Sequence, residues 1–363
     1  MSEVLFHFYA PTHGDSRYIG QSQPEIEGSP EYIVKIAERA EESGFNGILI
    51  PTGPRCADAF ITATNIIVNT KILRPLIAIR PGFISPTVAS KMVSTLDILS
   101  SGRVSLNVVS GGSPKELAMD GDFTNHDKRY ERTKEFTEIL KGVWGDSTYD
   151  YDGQFYKISG AKFKPNPIQK PYPKLYLGGT SEPALQVASE LFDTYLMWGE
   201  PLENVKIQIQ KVKKKAKRYG REIKCGIRIN IITATSEELA WKKAEKIISQ
   251  VNEDKVSMLK EYMANSDSVS LKRIQSLKEK KFEDPCFWTG MTSYRSGNST
   301  ALVGSYEQVA ESLIKYIGVG ITEFIFSSYP HLETVSEIGE EILPIVREKV
   351  NNLNYKEHLH EKV

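Results

Sequence analysis

The chain has 363 residues, 40% of them apolar and 25% charged, ordinary proportions for a globular protein. Its 46 basic and 46 acidic residues cancel, so charge argues against a polyanion or an anionic membrane surface as partner. The three scattered cysteines, Cys56, Cys225 and Cys286, form neither a metal-ligand spacing nor a disulfide framework and fit a reducing cytoplasm.

Leu5 to Tyr9 reads as a first strand that runs into Pro11-Thr12-His13-Gly14-Asp15. The residues before it lack a basic n-region, so a strand is expected there rather than a signal peptide, and no apolar run approaches the roughly 20 residues of a membrane span. Tyr32 to Ser43 is an amphipathic helix with Ile33, Ile36, Ala37 and Ala40 on one face, closed by Gly44. Gly47 to Ile50 is the second strand, ending in Pro51-Thr52-Gly53-Pro54-Arg55-Cys56, and Asp58 to Val68 the next helix. Ile72 to Ile79, ending in Arg80-Pro81-Gly82, and the helix Pro86 to Leu99 complete a third unit.

The fourth strand, Val104 to Val109, carries Asn107 and breaks into Ser110-Gly111-Gly112-Ser113-Pro114 before helix resumes near Tyr130. A short, mostly apolar strand ending in a Gly/Ser loop is what a buried parallel strand looks like. Such strand ends hold ligands in barrels and doubly wound folds. Ser110, Ser113, His126, Arg129, Tyr130 and the glycine N–H groups suit a phosphate or a polar ring.

Residues 149–167 then alternate with period two about Asp152-Gly153, a hairpin signal. Leu175 to Leu177 and Thr194 to Met197 are strands five and six, ending in Gly178-Gly179-Thr180-Ser181 and Trp198-Gly199-Glu200-Pro201. A basic helix reaches Tyr219, followed by strand seven, Cys225 to Ile232, and the helix Glu237 to Ile248. From about 251 to 299 the pattern lapses into a Lys- and Ser-rich stretch, expected to be a mobile lid or binding loop, or disordered. The helix Tyr306 to Ile317, strand eight at Glu323 to Phe326 and the helix Val335 to Asn351 restore the order. Cycles of about thirty residues mark βαβ units. Eight of them predict one α/β domain over 1–363, a (β/α)8 TIM barrel with a hairpin and a lid-like insertion before the last helix–strand unit.

The C-terminal strand ends of a barrel meet on one rim. That brings His13, Cys56, Arg80, Asn107, Ser110, Trp198, Arg228, Asn230, Tyr329 and His331 into one candidate site, although a single buried His or Cys is more often a core residue. Arg228 and Asn230, two apart on a strand, share a face, and an inward arginine needs an anion; a structural ion pair is the alternative. Tyr329 and His331 share that spacing, the tyrosine suited to donating a hydrogen bond and the histidine to acid–base work near neutral pH. Gly179, Thr180 and Ser181 at a helix start offer hydroxyl and N–H groups to a phosphate, or simply cap the helix. Arg295, in Gly/Ser/Asn-rich sequence, either closes over an anion or stays solvated. The six histidines show no zinc spacing, and Walker A, GxGxxG and GxSxG motifs are absent. The chemistry is therefore expected from an organic cofactor.

Read together, Pro11-Thr12-His13-Gly14-Asp15, Ile50-Pro51-Thr52-Gly53 with Cys56, Ser85-Pro86-Thr87, His126-Asp127 with Arg129-Tyr130, and Tyr176 to Gly179 form a pattern. It continues through Trp198-Gly199-Glu200-Pro201, Gly226-Ile227-Arg228, Thr300 to Gly304 and Tyr329-Pro330-His331-Leu332-Glu333. The sequence thereby resembles the bacterial luciferase-like flavin monooxygenases, and within them the FMNH2-dependent alkanesulfonate monooxygenases. The resemblance implies a TIM barrel that receives FMNH2 from a separate NAD(P)H-dependent flavin reductase. With O2 such an enzyme would oxygenate the carbon bearing a sulfonate, giving an aldehyde and sulfite for sulfur assimilation.

By position, His13, Cys56, Arg228, Arg295, Tyr329 and His331 match the active-site residues, the two arginines facing the sulfonate or the peroxide anion. Tyr130, Thr180 and Ser181 would hold the flavin phosphate, Asn107 and Ser110 would lie near its ring, and His126, Gly179 and Trp198 would complete the cofactor site. Asn230 departs from the pattern, which has a histidine there; asparagine hydrogen-bonds but does not titrate near pH 7. The resemblance further implies a homodimer or homotetramer. Alternatives are a monooxygenase of methanesulfonate or a dimethyl sulfone-like compound, a deazaflavin enzyme, which the motifs fit less well, or a non-catalytic flavin-binding protein, supported only by Asn230.

Overall fold

Strand β1 (Leu5–Tyr9), LFHFY, is buried along its whole length, as a parallel strand covered on both faces must be. The computed structural model describes residues 3–278, 280 and 282–360. After β1 come α1 (Pro30–Glu42), β2 (Gly47–Ile50), α2 (Ala59–Asn69), β3 (Arg74–Ile79), α3 (Pro86–Leu99) and β4 (Ser105–Val108). The next crossover holds α4 (Pro114–Met119), α5 (His126–Val143) and a hairpin of β5 (Tyr149–Asp152) and β6 (Lys157–Ala161). Alternation resumes with β7 (Leu175–Gly178), α6 (Glu182–Leu191), β8 (Thr194–Trp198), α7 (Leu202–Arg218), β9 (Lys224–Ala234) and α8 (Glu237–Ile247). Then come α9 (Glu253–Ala264), α10 (Val269–Gln275) and the short β10 (Phe287–Trp288). The last elements are β11 (Ala301–Ser305), α11 (Tyr306–Gly318), β12 (Glu323–Ser327), α12 (His331–Glu337) and α13 (Leu343–His360).

The strands β1-β2-β3-β4-β7-β8-β9-β12 form a parallel sheet, and β12 pairs back onto β1 to close it. Closure removes both sheet edges, and the result is the expected eight-stranded barrel with its hairpin. The apolar core lies between this barrel and its helices, with Phe6, Phe8, Ile36, Ile48 and Phe326 at its centre. Inside the barrel, Tyr9, Leu49, Leu76, Tyr176, Leu196 and Ile325 form a separate layer.

Toward the N-terminal ends of the strands, the 1%-exposed Glu323 pairs with Lys174 and accepts hydrogen bonds from the hydroxyls of Tyr176 (2.6 Å) and Thr194 (3.0 Å). Burial opposes its ionisation, but His7 and Lys174 outweigh burial and pull the carboxyl down to about 2. This charged plug leaves the C-terminal end of the barrel for a site.

Several features depart from the sequence reading: α4 forms in the stretch before Tyr130, and the helix expected over Val335 to Asn351 is instead α12 and α13. Strand β9 is longer than expected: residues 226–230 pair with β12, while 230–234 carry β11, outside the barrel. Residues 251–299, expected without regular structure, contain α9 and α10. Their N-termini are capped by Asn252 and Ser268, which accept from the N–H groups of Lys255 and Leu271. Helix α9 has no fully buried residue; its apolar stripe of Val256, Leu259, Tyr262 and Met263 is only half-buried and is diluted by the Lys- and Ser-rich sequence around it. Among the described residues no helix is long and apolar enough to cross a membrane.

Candidate active site

A cavity of about 330 Å³ opens among the C-terminal ends of β2, β4, β7, β8 and β9, within the size range of small-ligand sites. Asn107, Ser110, His126, Tyr130, Gly179, Thr180, Ser181 and Trp198 all line it, and so does Arg228. They converge because each lies at or just beyond the end of a barrel strand or at the start of the following helix.

One end of the cavity is rich in hydroxyls. Gly179 has φ +132°, and a Cβ there would stand 2.7 Å from the Tyr130 hydroxyl, so only glycine lets the two approach. Burial pushes the Tyr130 hydroxyl upward, against the hydrogen-bonding of Ser110 and Ser181; it is a neutral donor at physiological pH. Ser181 caps α6 by accepting from the Ala184 N–H at 3.3 Å, and the Thr180 hydroxyl is 3.0 Å from that of Ser270. The His126 ring meets Tyr130 edge-on at 5.2 Å. Deeper in, Leu49, Ala78, Leu196 and Ile325 give apolar walls, while Asn107 Oδ1 is a buried acceptor without a partner. A hydroxyl-rich end beside apolar walls with one buried acceptor offers the polar and apolar surfaces that a flavin would need.

The insertion completes the wall through Ser266, Ser268, Val269, Ser270 and Leu271, which sequence reasoning did not assign. The only sequence signal was the run Ser266-Asp267-Ser268-Val269-Ser270, which also reads as a helix cap. Three contacts hold this segment down. Arg129, 1% exposed, donates to Asp267 at 2.6 Å and to the Thr124 carbonyl at 2.7 Å. Ser266 donates to the Gly112 carbonyl at 2.5 Å. Arg273 forks onto Glu200 at 2.8 and 2.5 Å, the bidentate geometry that fixes orientation as well as distance.

Beside the cavity lies a second, charged cluster. The Arg228 guanidinium rests on the Tyr9 ring at 4.1 Å and that of Arg295 on Tyr329 at 5.3 Å, both within cation–π range. Among the described residues neither arginine has a carboxylate ion-pair partner, and Arg228 Nε is buried without an acceptor. Burial and the nearby Arg228 lower Arg295 to about 10, so it stays charged at neutral pH. Burial, with Arg295, His331, Arg55 and Arg228 nearby, lowers His13 to about 3; its imidazole is neutral, with Nδ1 3.5 Å from the Tyr9 hydroxyl.

His331 and Tyr329 meet edge-on at 5.3 Å, and His331 Nδ1 lies 2.7 Å from Asp15 Oδ1. Cys56 is half-buried near Thr12, and burial raises its thiol, so it is not a thiolate. Arg80, gathered to the rim by the sequence reading, is paired with Glu116. Asn230 lies on the Arg228 strand, fully buried, but its amide donates to the carbonyls of Asn298 (3.2 Å) and Thr300 (2.7 Å). It thereby holds the backbone just after Arg295. Among the described residues no group of three or more His, Cys, Asp or Glu could hold a metal ion.

Among solved structures, the chain is similar to riboflavin lyase crystallised with modified FMN and riboflavin, at 18% identity over 96% of this chain and 92% of that one, with a TM-score of 0.81. It is also similar to long-chain alkane monooxygenase, at 18% identity over 96% and 92%, with a TM-score of 0.80. DmoA from Hyphomicrobium sulfonivorans matches at 19% identity over 96% and 89%, with a TM-score of 0.79. At such identities the likeness is one of fold. Residues 4–323 match the family described as luciferase-like monooxygenase, and that match covers most of the barrel and the cavity lining. The chain therefore belongs to the luciferase-like monooxygenase family and is a flavin-dependent oxidoreductase.

Proposed function

We propose that the protein is an FMNH2-dependent monooxygenase that uses O2 to convert alkanesulfonates to aldehyde and sulfite, supplied with reduced flavin by a separate NAD(P)H-dependent reductase. The observation that carries this reading is the Arg228–Arg295 pair. Two guanidinium groups sit over tyrosine rings at the cavity, without a carboxylate partner among the described residues. Like charges removed from water are costly unless an anion joins them, and guanidinium forks match the oxygens of an oxyanion such as sulfonate. Other small organosulfur acids, methanesulfonate included, would use the same pair.

The hydroxyls of Ser110, Tyr130, Thr180, Ser181 and Ser270 favour a phosphate monoester, hence FMN, at one end of the cavity. When bound, the reduced flavin supplies the electrons that activate O2. The protein's own residues then do the rest: Arg228 and Arg295 bind and orient the anion, and the insertion wall keeps water from the site. Tyr329 donates a hydrogen bond, His331 holds or accepts a proton, and neutral His13 adds no further positive charge. In this reading the insertion, residues 251–299, moves as a lid on a single barrel domain.

Exposed apolar residues on α2 and α3, including Ile61 (70% exposed) and Val68 (63%), favour a homodimer or homotetramer through these helices. The three free cysteines accord with a cytoplasmic setting.

Sulfite release with FMNH2 from an added flavin reductase, measured from methanesulfonate to decanesulfonate, tests the reading. Release with a chain-length optimum supports it. No release from any of them, despite tight binding of reduced FMN, refutes it.

A further inference from the structure

Asp15 follows β1 and is 3% exposed, yet its carboxylate has no arginine or lysine partner among the described residues. Instead it takes four hydrogen bonds, one of them from the Ser16 backbone N–H to Oδ1 at 2.8 Å. Oδ1 lies 2.7 Å from His331 Nδ1, and Oδ2 accepts the His331 backbone N–H at 2.7 Å and the Tyr32 hydroxyl at 2.6 Å. Burial opposes the charge on Asp15, but His331 and Tyr32 outweigh it and hold the carboxyl below its ordinary range. An ionised carboxylate only accepts hydrogen bonds, so Nδ1 must carry the hydrogen. Neutral His331 then has its lone pair on Nε2. That atom is buried and, among the described residues, without a hydrogen-bond partner, as is the Tyr329 hydroxyl. The His331 ring centre lies 5.7 Å from that of Tyr9 and 5.3 Å from that of Tyr329.

We propose that Asp15 is the positioning residue of the reaction centre: it locks His331 in the Nδ1–H form, so that Nε2 is the base, and balances the imidazolium charge when Nε2 takes a proton. This rests on the reading of His331 as an active-site residue. The transfer moves one proton and no electrons: an N–H bond forms at Nε2 as the donor's O–H or C–H bond breaks, and the bonding pair stays on the donor. The groups that bear on His331 are Asp15 and Tyr32 on one side, and Tyr9, His13, Tyr329 and the Arg295 charge on the other.

Asp15→Asn tests the assignment with little change of shape. The asparagine oxygen keeps the His331 backbone N–H and the Tyr32 hydroxyl, while its NH2 gives up the Ser16 N–H, donates to Nδ1 and forces the hydrogen onto Nε2. In the full chain labelled with 15N-histidine, NMR should show His331 as Nδ1–H in the wild type and Nε2–H in the variant. Sulfite turnover should fall about 10²- to 10⁴-fold, with the Kd for FMN within about twofold. Should D15N not fold, Tyr32→Phe serves. It removes one hydrogen bond from Asp15, makes the carboxylate more basic, and should move the acidic limb of kcat/KM to higher pH. An Nε2–H tautomer in the wild type overturns the proposal, as does an exchanged tautomer with full turnover or an unmoved limb in Y32F. Absence of sulfite release from the wild type would overturn the substrate reading instead, and the tautomer comparison would still decide the role of Asp15.

Discussion

The Arg228 guanidinium lies 4.1 Å from the ring centre of Tyr9, so a residue of β9 rests on one of β1 with β12 between their strands. Its position is thus set by ring packing, and its charge is left for a ligand. Arg228→Ala should lower kcat/KM for the sulfonate by about 10- to 150-fold, the loss of a charge-assisted hydrogen bond of about 1.5–3 kcal/mol, with an unchanged far-UV circular dichroism spectrum. Normal kcat and KM in that variant would show Arg228 to be structural.

Asn230 should matter for stability as well as for turnover. Asn230→Ala leaves the buried carbonyls of Asn298 and Thr300 without their side-chain donor. The expected cost is about 1–3 kcal/mol, read as a lower urea midpoint, and a higher sulfonate KM as Arg295 loses its fixed backbone. A urea midpoint equal to wild type would contradict the clamp.

Gly179 gives a sharper test of the cavity. Gly179→Ala places a Cβ 2.7 Å from the Tyr130 hydroxyl at φ +132°, a strain of about 1–3 kcal/mol. FMN affinity and Tm should both fall. Adding Tyr130→Phe removes the clash but leaves the backbone strain, so the double variant should recover part of the Tm and not all of it. No recovery would assign the cost to the backbone and to the Ala184 Cβ, 3.0 Å from the added methyl, rather than to the Tyr130 hydroxyl.

The plug at Glu323 predicts the acid limit of stability. Its carboxyl is held at about 2 in the folded barrel against 4.5 when unperturbed. A depressed folded value stabilises the fold above the unfolded value, and that contribution is lost as pH falls from 4.5 toward 2. Unfolding free energy should therefore drop steeply through this window. Glu323→Gln should be less stable at pH 7 and should show a flatter pH dependence below 4.5. Equal slopes in both proteins would dissociate acid lability from Glu323.

The strand–helix cycle was legible in the sequence because burial imposes local periods: β2 and α3 have the boundaries that their apolar runs predict. That Asn107, Ser110, Tyr130 and Thr180 share one cavity was legible too, since a parallel barrel brings every C-terminal strand end to one rim. Helix α9 escaped notice because its short apolar stripe, Val256, Leu259, Tyr262 and Met263, is only half-buried and sits among charged residues, and β11 because its partner is the overhanging half of β9, a pairing no local pattern announces.

What the chain determined by itself was the period of its elements and the chemical types available at the rim. Only the tertiary structure decided how those types are used. It gave Arg80 to Glu116 and set Arg228 and Arg295 over tyrosine rings, without a carboxylate partner among the described residues. It turned the amide of Asn230 onto the backbone and brought Asp15 to His331 across 316 positions of chain. The physical reason is range. Periodicity arises from neighbours along the chain, whereas a buried charge takes whichever partner the closed barrel sets within about 3 Å of it.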